Sequence, residues 1–509
     1  MKSYFESESK VMRFFCTAGR GTETFAYQEI YEEVDKEYVV SISEGRVHFQ
    51  GSVNQIDTIL ELKTVERAFA LVFYKGSNEY KDLDRATFLN CLRADILNEQ
   101  VWRNDELCKV IELLQTRHGG KIQRELTCSR GEGPPAKKFK QEGQPSFRVS
   151  CKCSGMLGRK VSSQLLAKQI GIKLNQLLRW RVNYRDPDIE ICIQVSDAHV
   201  SVGIPLTKIP LSKRNYVKCH GLRGPVTWIM MNLLEIKNQC VVLDPMCGKA
   251  TILLEAAKNF EDVFCIGCDV SSDQLNLADE NIRFGNVQAR LQLIQADCRA
   301  LPLRDECVDC IVCDTPFGKK HSVKGSSVVF HESFLQEMCR VLRSNGKVVL
   351  LVSEDIHQIY KNSEIPDSSD KHSVSDQVLN SISEGGEDRK DQYCVPGNKS
   401  ANLHLDDPSN AVVLDIKKKC DNSFYQEELS TKSSIVPLVM EKSGVSYRKT
   451  ENGGSFKTTD SGLVDCVDSN RNEQEVLGLQ SVLQKFDVIR DHYIKLGETN
   501  SYIIVLKKR

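Results

Sequence analysis

Long apolar runs are missing from this chain of 509 residues. No stretch approaches the roughly 20 apolar residues of a membrane-spanning helix, so no membrane segment is expected. The opening residues Met1-Lys2-Ser3-Tyr4-Phe5-Glu6-Ser7-Glu8 also lack the apolar stretch and small-residue cleavage site of a secretory signal, and the protein is expected to stay inside the cell. Net charge is nearly absent: 68 Lys and Arg against 69 Asp and Glu leave −1, which excludes a global field drawing the chain onto a polyanion. What is there, 40% hydrophobic and 27% charged residues, is the composition of a soluble globular protein. The length allows two to four domains at roughly 150 residues each. The 20 cysteines are spread through apparent core strands, which fits reduced, buried thiols of a cytosolic or nuclear protein better than a disulfide scaffold.

Acidic residues are missing locally, and that absence carries more information. From Gly143 to Arg185 there is no Asp or Glu, while Arg148, Lys152, Arg159, Lys160, Lys168, Lys173, Arg179, Arg181 and Arg185 are all basic. A second acid-free stretch, Ala198 to Leu234, holds Lys208, Lys213, Arg214, Lys218 and Arg223. Such clusters are the footprint of phosphate contacts, which supply affinity without sequence information. The bland alternative is a solvated basic face. We take Arg148, Lys152, Arg159, Lys160, Lys168, Lys173, Arg179 and Arg181 as candidate RNA-binding residues. Trp180 and Tyr184 could stack on a nucleotide, although a tryptophan buried in a small core is as good a reading for Trp180.

Along the chain, the pattern from Arg13 to Tyr74 predicts strand–helix–strand–strand–helix–strand, the ferredoxin-like arrangement. A helical period continues from Asp84 to about Leu114. Residues 130–140 are rich in Gly, Pro and charge, and read as a linker carrying the basic strip Pro135-Ala136-Lys137-Lys138-Phe139-Lys140, which suits a nuclear-localisation signal as well as it suits an inert linker. A strand at Phe147–Cys153, a helix at Ser162–Leu178 and a hairpin across Ser196-Asp197 follow. From Lys213 the strands and helices alternate as in a doubly wound α/β sheet, which binds ligands at the carboxyl ends of its strands. After Tyr360 the chain turns polar and Ser-rich until about Gln474, which reads as a disordered insertion before a closing hairpin, Phe486–Leu496 and Ser501–Lys507.

The full G-x-G-x-x-G of a dinucleotide site is missing from Val241-Val242-Leu243-Asp244-Pro245-Met246-Cys247-Gly248-Lys249-Ala250-Thr251. That absence suits S-adenosyl-L-methionine, which has no phosphate to cradle and carries a sulfonium that a carboxylate such as Asp244 favours. Asp269 ends the next strand, where it can accept both ribose hydroxyls, and Asp297 follows the one after, where it can receive an adenine amino group. Each alone is a common turn or cap acid. Together with Asp314, four acids end successive predicted strands, and we take Asp244, Cys247, Gly248, Asp269 and Asp297 as cofactor-binding residues.

Asp314-Thr315-Pro316-Phe317 then reads as a catalytic turn. An exocyclic amino group on a base ring is a weak nucleophile because its lone pair is delocalised. Accepting its hydrogens at Asp314 and the Thr315 carbonyl, on a turn shaped by Pro316, frees that pair, while Phe317 holds the ring by stacking. Cys307, Cys310 and Cys313 superficially suggest an iron–sulfur run, but the fourth ligand is missing and residues three apart in a strand face opposite sides, so no metal is expected.

Asp244-Pro245-Met246-Cys247-Gly248, Asp314-Thr315-Pro316-Phe317-Gly318 and the basic module from Phe147 to Thr207, with Val182-Asn183-Tyr184-Arg185-Asp186-Pro187-Asp188 inside it, together resemble the THUMP-domain guanosine-N2 RNA methyltransferase family. The resemblance leaves out only the two linkers. It implies an α/β protein with a Rossmann-like class I methyltransferase domain preceded by a ferredoxin-like domain and a THUMP domain. The expected limits are 11–80, 84–208 with a disordered insertion about 117–146, and 212–509 with a disordered insertion about 361–475. It further implies methylation of guanine N2 on a small structured RNA, a tRNA or spliceosomal snRNA, gripped by the THUMP domain. A small zinc-ribbon activator subunit is the expected heterodimer partner, and the nucleus, with the cytoplasm second, the expected compartment. Ala250 stands where relatives often have a second Gly, and Thr315 where Pro is frequent. A non-catalytic RNA-binding scaffold and a protein glutamine methyltransferase are the competing readings.

Overall fold

The computed structural model describes residues 11–34, 39–125, 144–237, 239–316, 327–362 and 468–509. The first six regular elements are β1 (Met12–Thr17), α1 (Glu23–Glu33), β2 (Val39–Ser43), β3 (Arg46–Gly51), α2 (Ile56–Glu61) and β4 (Arg67–Gly76), in the expected order. Where the period from Asp84 onward suggested one helix, there are three: α3 (Arg85–Ile96), α4 (Glu99–Trp102) and α5 (Asp105–Glu125). The interruptions are chemical. Asp84, Asn98 and Asn104 each turn a side-chain oxygen onto backbone N–H groups of the turn that follows, starting a new helix each time. Because α5 runs to Glu125, the first part of the 117–146 insertion is helical. The basic strip 135–140 lies outside the described residues.

The basic module contributes β5 (Ser146–Cys153), α6 (Gly155–Arg159), α7 (Ser163–Leu178), β6 (Arg181–Val182), β7 (Ile189–Val195) and β8 (His199–Pro205). Strand β8 pairs with β4, so the ferredoxin-like segment and the basic module form one sheet of eight strands in the order β2-β3-β1-β4-β8-β7-β5-β6. Helices α1, α2, α3, α5 and α7 bury Ile30, Ile59, Phe88, Val110 and Ile170 on one face of it, against Phe14, Val47, Ala70, Ile191 and Val202.

The second sheet begins after α8 (Gly224–Leu233), in which Pro225 occupies the first turn, where its missing N–H costs nothing. It comprises β9 (Cys240–Asp244), α9 (Thr251–Asn259), β10 (Val263–Asp269), α10 (Ser272–Gly285), β11 (Leu291–Gln295), β12 (Val308–Asp314), α11 (Ser327–Val341), β13 (Leu342–Ser353), α12 (Glu354–Asn362), α13 (Asp468–Leu483), β14 (Phe486–Leu496) and β15 (Thr499–Lys508). The order is β11-β10-β9-β12-β13-β15-β14, parallel except where β15 runs antiparallel to β13 and β14. The closing hairpin therefore completes the sheet that β9 starts. Helices α12 and α13 reach into the expected 361–475 insertion from both ends, and α13 buries Leu479, Val482 and Leu483 in the same cluster as Phe334, Met338 and Tyr360.

The sheets are tied at Arg214, which lies almost fully buried between them. Its Nε donates to Glu255 at 3.0 Å, Nη1 to the Leu211 carbonyl at 2.9 Å and Nη2 to the Lys63 carbonyl at 2.7 Å. Tyr216 donates to the same carboxylate at 2.8 Å. This corrects one expectation from charge alone. In the second acid-free stretch Lys208, Arg214, Lys218 and Arg223 pair with Asp186, Glu255, Glu280 and Glu66, acids distant in sequence, and serve cohesion.

Candidate active site and RNA groove

Three acids end three adjacent parallel strands, Asp269 on β10, Asp244 on β9 and Asp314 on β12. Parallel register brings their carboxyl ends to the same edge of the sheet. Asp244 is only 1% exposed, and Oδ1 accepts the Met246 N–H at 3.2 Å. Burial drives its carboxyl well above the usual range, the Met246 N–H draws it back, and the neighbouring Asp314 and Asp269 charges raise it further. The Cys313 thiol stands beside it as a hydrogen-bond donor, a contact that β12 spacing alone did not reveal.

Asp269 organises the glycine turn: Oδ2 accepts the Gly248 N–H at 2.9 Å and Oδ1 the Ser271 N–H at 2.8 Å. Cys247, buried, donates its N–H to the Cys268 carbonyl at 2.8 Å, which pins the turn to β10. Gly248 has φ +50°, and a side chain there would reach nothing nearer than Gln274 Oε1 at 3.8 Å, so the turn leaves open space over the strand ends. Ala250 also adopts a left-handed backbone, φ 55°, at the N-terminus of α9.

Asp297, just past β11, differs from the other acids. Oδ1 accepts from the Arg299 Nε at 3.0 Å and from its backbone N–H at 2.9 Å, while Oδ2 accepts from Nη2 at 2.6 Å. The Arg299 guanidinium therefore holds this carboxyl below the usual range. Contact with an amino group would fall to the lone pairs left over.

At the turn expected to be catalytic, burial pushes the Asp314 carboxyl up to about 6. Thr315 sends both its N–H (3.0 Å) and its hydroxyl (2.7 Å) to the Leu351 carbonyl on β13, which fixes the turn against the neighbouring strand. A proline there would have neither donor. Pro316 is half-buried, and Phe317 lies outside the described residues.

The residues fit S-adenosyl-L-methionine. The buried Asp244 and the half-buried Asp269 and Asp314 set carboxyl groups beside an open turn with one glycine, Gly248, in place of the glycine-rich loop of a pyrophosphate site. Asp244, Cys247, Gly248 and Asp269 would hold the cofactor. Among the described residues no group of three or more His, Cys, Asp or Glu side chains could hold a metal ion.

The candidate RNA residues divide. Arg148, Lys168, Arg179 and Arg181 line one groove of about 700 Å³ between β5, α7 and β6, with Tyr184 at its rim and no acid among its lining residues. Tyr184 is 77% exposed, whereas Trp180 is buried against Trp102 and Phe147 in edge-on contacts and belongs to the core. Lys152, Arg159 and Lys173 are exposed outside this groove. Lys160 is committed elsewhere: its ammonium donates to the carbonyls of Lys81 at 3.0 Å and Leu83 at 2.8 Å. Gln164 and Asn175, missed in the charge count, line the groove too. The spacing Gln164, Lys168, Ile172, Asn175 on α7, continued by Arg179 at its C-cap, is a helical stripe that could have revealed them.

The parallel sheet with an antiparallel closing strand and acids at its carboxyl edge defines a class I, S-adenosyl-L-methionine-dependent methyltransferase. The methyltransferase domain of the UPF0020, RMKL-like family matches residues 212–365. The U6 snRNA (guanine-N(2))-methyltransferase THUMPD2 of Bos taurus is 33% identical over 76% of this chain and 86% of its own, and that of Homo sapiens 34% over 71% and 83%. The fold is that of TrmN from Thermus thermophilus, with TM-score 0.53, 16% identity, and coverage of 98% of this chain and 100% of that one. SMU.472 complexed with SAH, at TM-score 0.50 and 14% identity, covers 69% of this chain and 92% of its own. The chain belongs to the THUMP-domain guanosine-N2 RNA methyltransferase family.

Proposed function

We propose that this protein methylates the exocyclic N2 of a guanosine in U6 snRNA, with tRNA as the second substrate class, and that it works in the nucleus. The observation that carries the chemistry is Asp314 at a strand end beside the buried Asp244, its carboxyl raised to about 6 and its turn locked by Thr315. Bound S-adenosyl-L-methionine supplies an electrophilic methyl group. Asp314 and the Thr315 carbonyl accept the two amino hydrogens, which lets the nitrogen pyramidalise and frees its lone pair. Phe317 stacks on the guanine. With its carboxyl pushed up to about 6 by burial, Asp314 is mostly ionised at neutral pH and able to receive the proton that the methylated nitrogen releases.

In this reading residues 11–80 form the ferredoxin-like domain, 84–208 the THUMP domain and 212–509 the catalytic domain, and the groove at Arg148, Lys168, Arg179 and Arg181 grips the RNA by its phosphates. A small zinc-ribbon activator completes the enzyme as a heterodimer. Support for a partner there comes from β11, an edge strand of the catalytic sheet, with Phe264 and Phe284 exposed at that end. No helix of the described residues is long and apolar enough to cross a membrane.

The test is nucleoside analysis of U6 snRNA transcripts after incubation with enzyme, activator and labelled cofactor. N2-methylguanosine in the RNA is the expected product. Label in protein glutamine with unlabelled RNA would establish the competing protein methyltransferase.

A further inference from the structure

Residues Lys213 to Arg223, which join the two sheets, form neither helix nor strand, yet their middle is bonded to the turn that carries Gly248. The bonds converge on Asn281 of α10, which is 0% exposed. Its Oδ1 accepts the N–H groups of Lys218 at 3.0 Å and Cys219 at 2.7 Å, and its Nδ2 donates to the carbonyls of Cys219 and Lys249, each at 2.9 Å. A side-chain amide has two donors and two acceptor lone pairs, and here all four are matched. One buried side chain thus fixes where the segment and the turn lie relative to each other.

Two more contacts close the same junction. The Lys249 ammonium donates back to the His220 carbonyl at 3.0 Å. Gly221 lies against Thr251, the first residue of α9: a Cβ at Gly221 would stand 2.8 Å from Thr251 Oγ1 and 3.0 Å from its Cγ2. Thr251 is β-branched and stiff, so only a glycine lets the segment lie this close. The turn is therefore held at both ends, Cys247 and Gly248 by β10 and Lys249 by Asn281. Ala250, next in the chain, has a strained left-handed backbone that would relax if its neighbours were released.

We propose that Asn281 is a positioning residue for the cofactor: it clasps residues 218–221 onto the Gly248 turn, and the clasp keeps that turn in its binding shape before S-adenosyl-L-methionine arrives. The proposal rests on the cofactor reading of the turn. A turn already ordered takes its ligand without the entropy of ordering, so a broken clasp shows as lost affinity. Cofactor affinity then depends on a segment outside the strand–turn–helix motif, one that also carries Arg214 and Arg223, whose partners Lys63 and Glu66 belong to the other sheet's side of the junction. The clasp also accounts for an alanine at position 250, because neighbours bonded on either side can hold a left-handed residue that a free turn would not keep.

The experiment uses the full chain without RNA and takes two readouts, calorimetric binding of S-adenosyl-L-homocysteine and amide hydrogen exchange of the free protein. Gly221→Ala should weaken binding about tenfold and speed exchange in the peptide spanning the Gly248 turn about tenfold, with β9 and β10 exchanging as in the wild type. Adding Thr251→Ala removes both atoms that crowd the new Cβ and should restore both readouts. Asn281→Leu should repeat the two changes, and Gly221, being exposed, carries the test whether or not that variant folds. Wild-type binding and exchange in Gly221→Ala, or a loss that Thr251→Ala fails to restore, would overturn the proposal. Exchange is read in the free protein and binding is read first in the wild type, so a failed clasp and a failed cofactor reading are told apart.

Discussion

In the proposed reaction Asp314 would join two demands that pull against each other: burial, which tightens hydrogen bonds, and ionisation, which it would need in order to accept them. Burial raises its carboxyl to about 6, so the protonated form becomes populated as pH falls through that value. We predict that kcat/KM for methyl transfer falls on the acid side with an apparent pKa near 6. Asp314→Asn should abolish that limb and lower the rate by roughly 10²–10³. The sign for stability is the reverse of the usual acid case. A folded pKa above the unfolded 3.8 means that the native state holds the extra proton, so this group favours folding below about 4 and loses that contribution as pH rises through 6. Ala250 poses a residue-scale question of another kind. Its left-handed backbone costs roughly 1–2 kcal/mol, while its buried methyl returns about 0.8 kcal/mol. Ala250→Gly should therefore change unfolding free energy by less than about 1 kcal/mol, whereas the β-branched Ala250→Val should cost about 2 kcal/mol in a denaturant titration.

At the scale of elements, the proposed catalytic turn is held by its neighbour strand, and Arg214 is one of the contacts that join the two sheets. Thr315→Val removes the hydroxyl bond to the Leu351 carbonyl and should lower kcat without changing cofactor affinity, measured by equilibrium binding. Arg214→Ala would leave Glu255 buried without its cation and should cost roughly 3–5 kcal/mol of unfolding free energy. Most strands and helices around these contacts were legible in the sequence because each is amphipathic or continuously apolar over its own length. The break of one helical run into α3, α4 and α5 was not, since Asn98 and Asn104 are polar residues on a polar surface until their caps form. Helix α13 escaped for a related reason. Leu479, Val482 and Leu483 lie at the end of a long polar stretch, and only tertiary contact with α11 and α12 reveals their role.

For the whole molecule, the sequence exposed the four acids but not what each one does. Asp244, Asp269 and Asp314 meet at one edge because parallel pairing aligns strand ends, a consequence of periodicity. The bond between Asp297 and Arg299 was beyond reach, because whether a local pair closes depends on the backbone between them. Charge count likewise over-read the basic residues: Lys160 and most of the second acid-free stretch hold the fold, while Arg148, Lys168, Arg179 and Arg181 share one groove. Arg179→Glu with Arg181→Glu should raise KM for RNA at least tenfold, flatten its salt dependence and leave cofactor binding intact.

Whether Asp314 carries the chemistry is decided by methyl transfer from labelled S-adenosyl-L-methionine to U6 snRNA by wild type and by Asp314→Ala, with the activator present. The wild type should yield N2-methylguanosine and the variant should lose at least about 100-fold in rate, with cofactor affinity within a few-fold. Equal incorporation by the two proteins would contradict that role for Asp314.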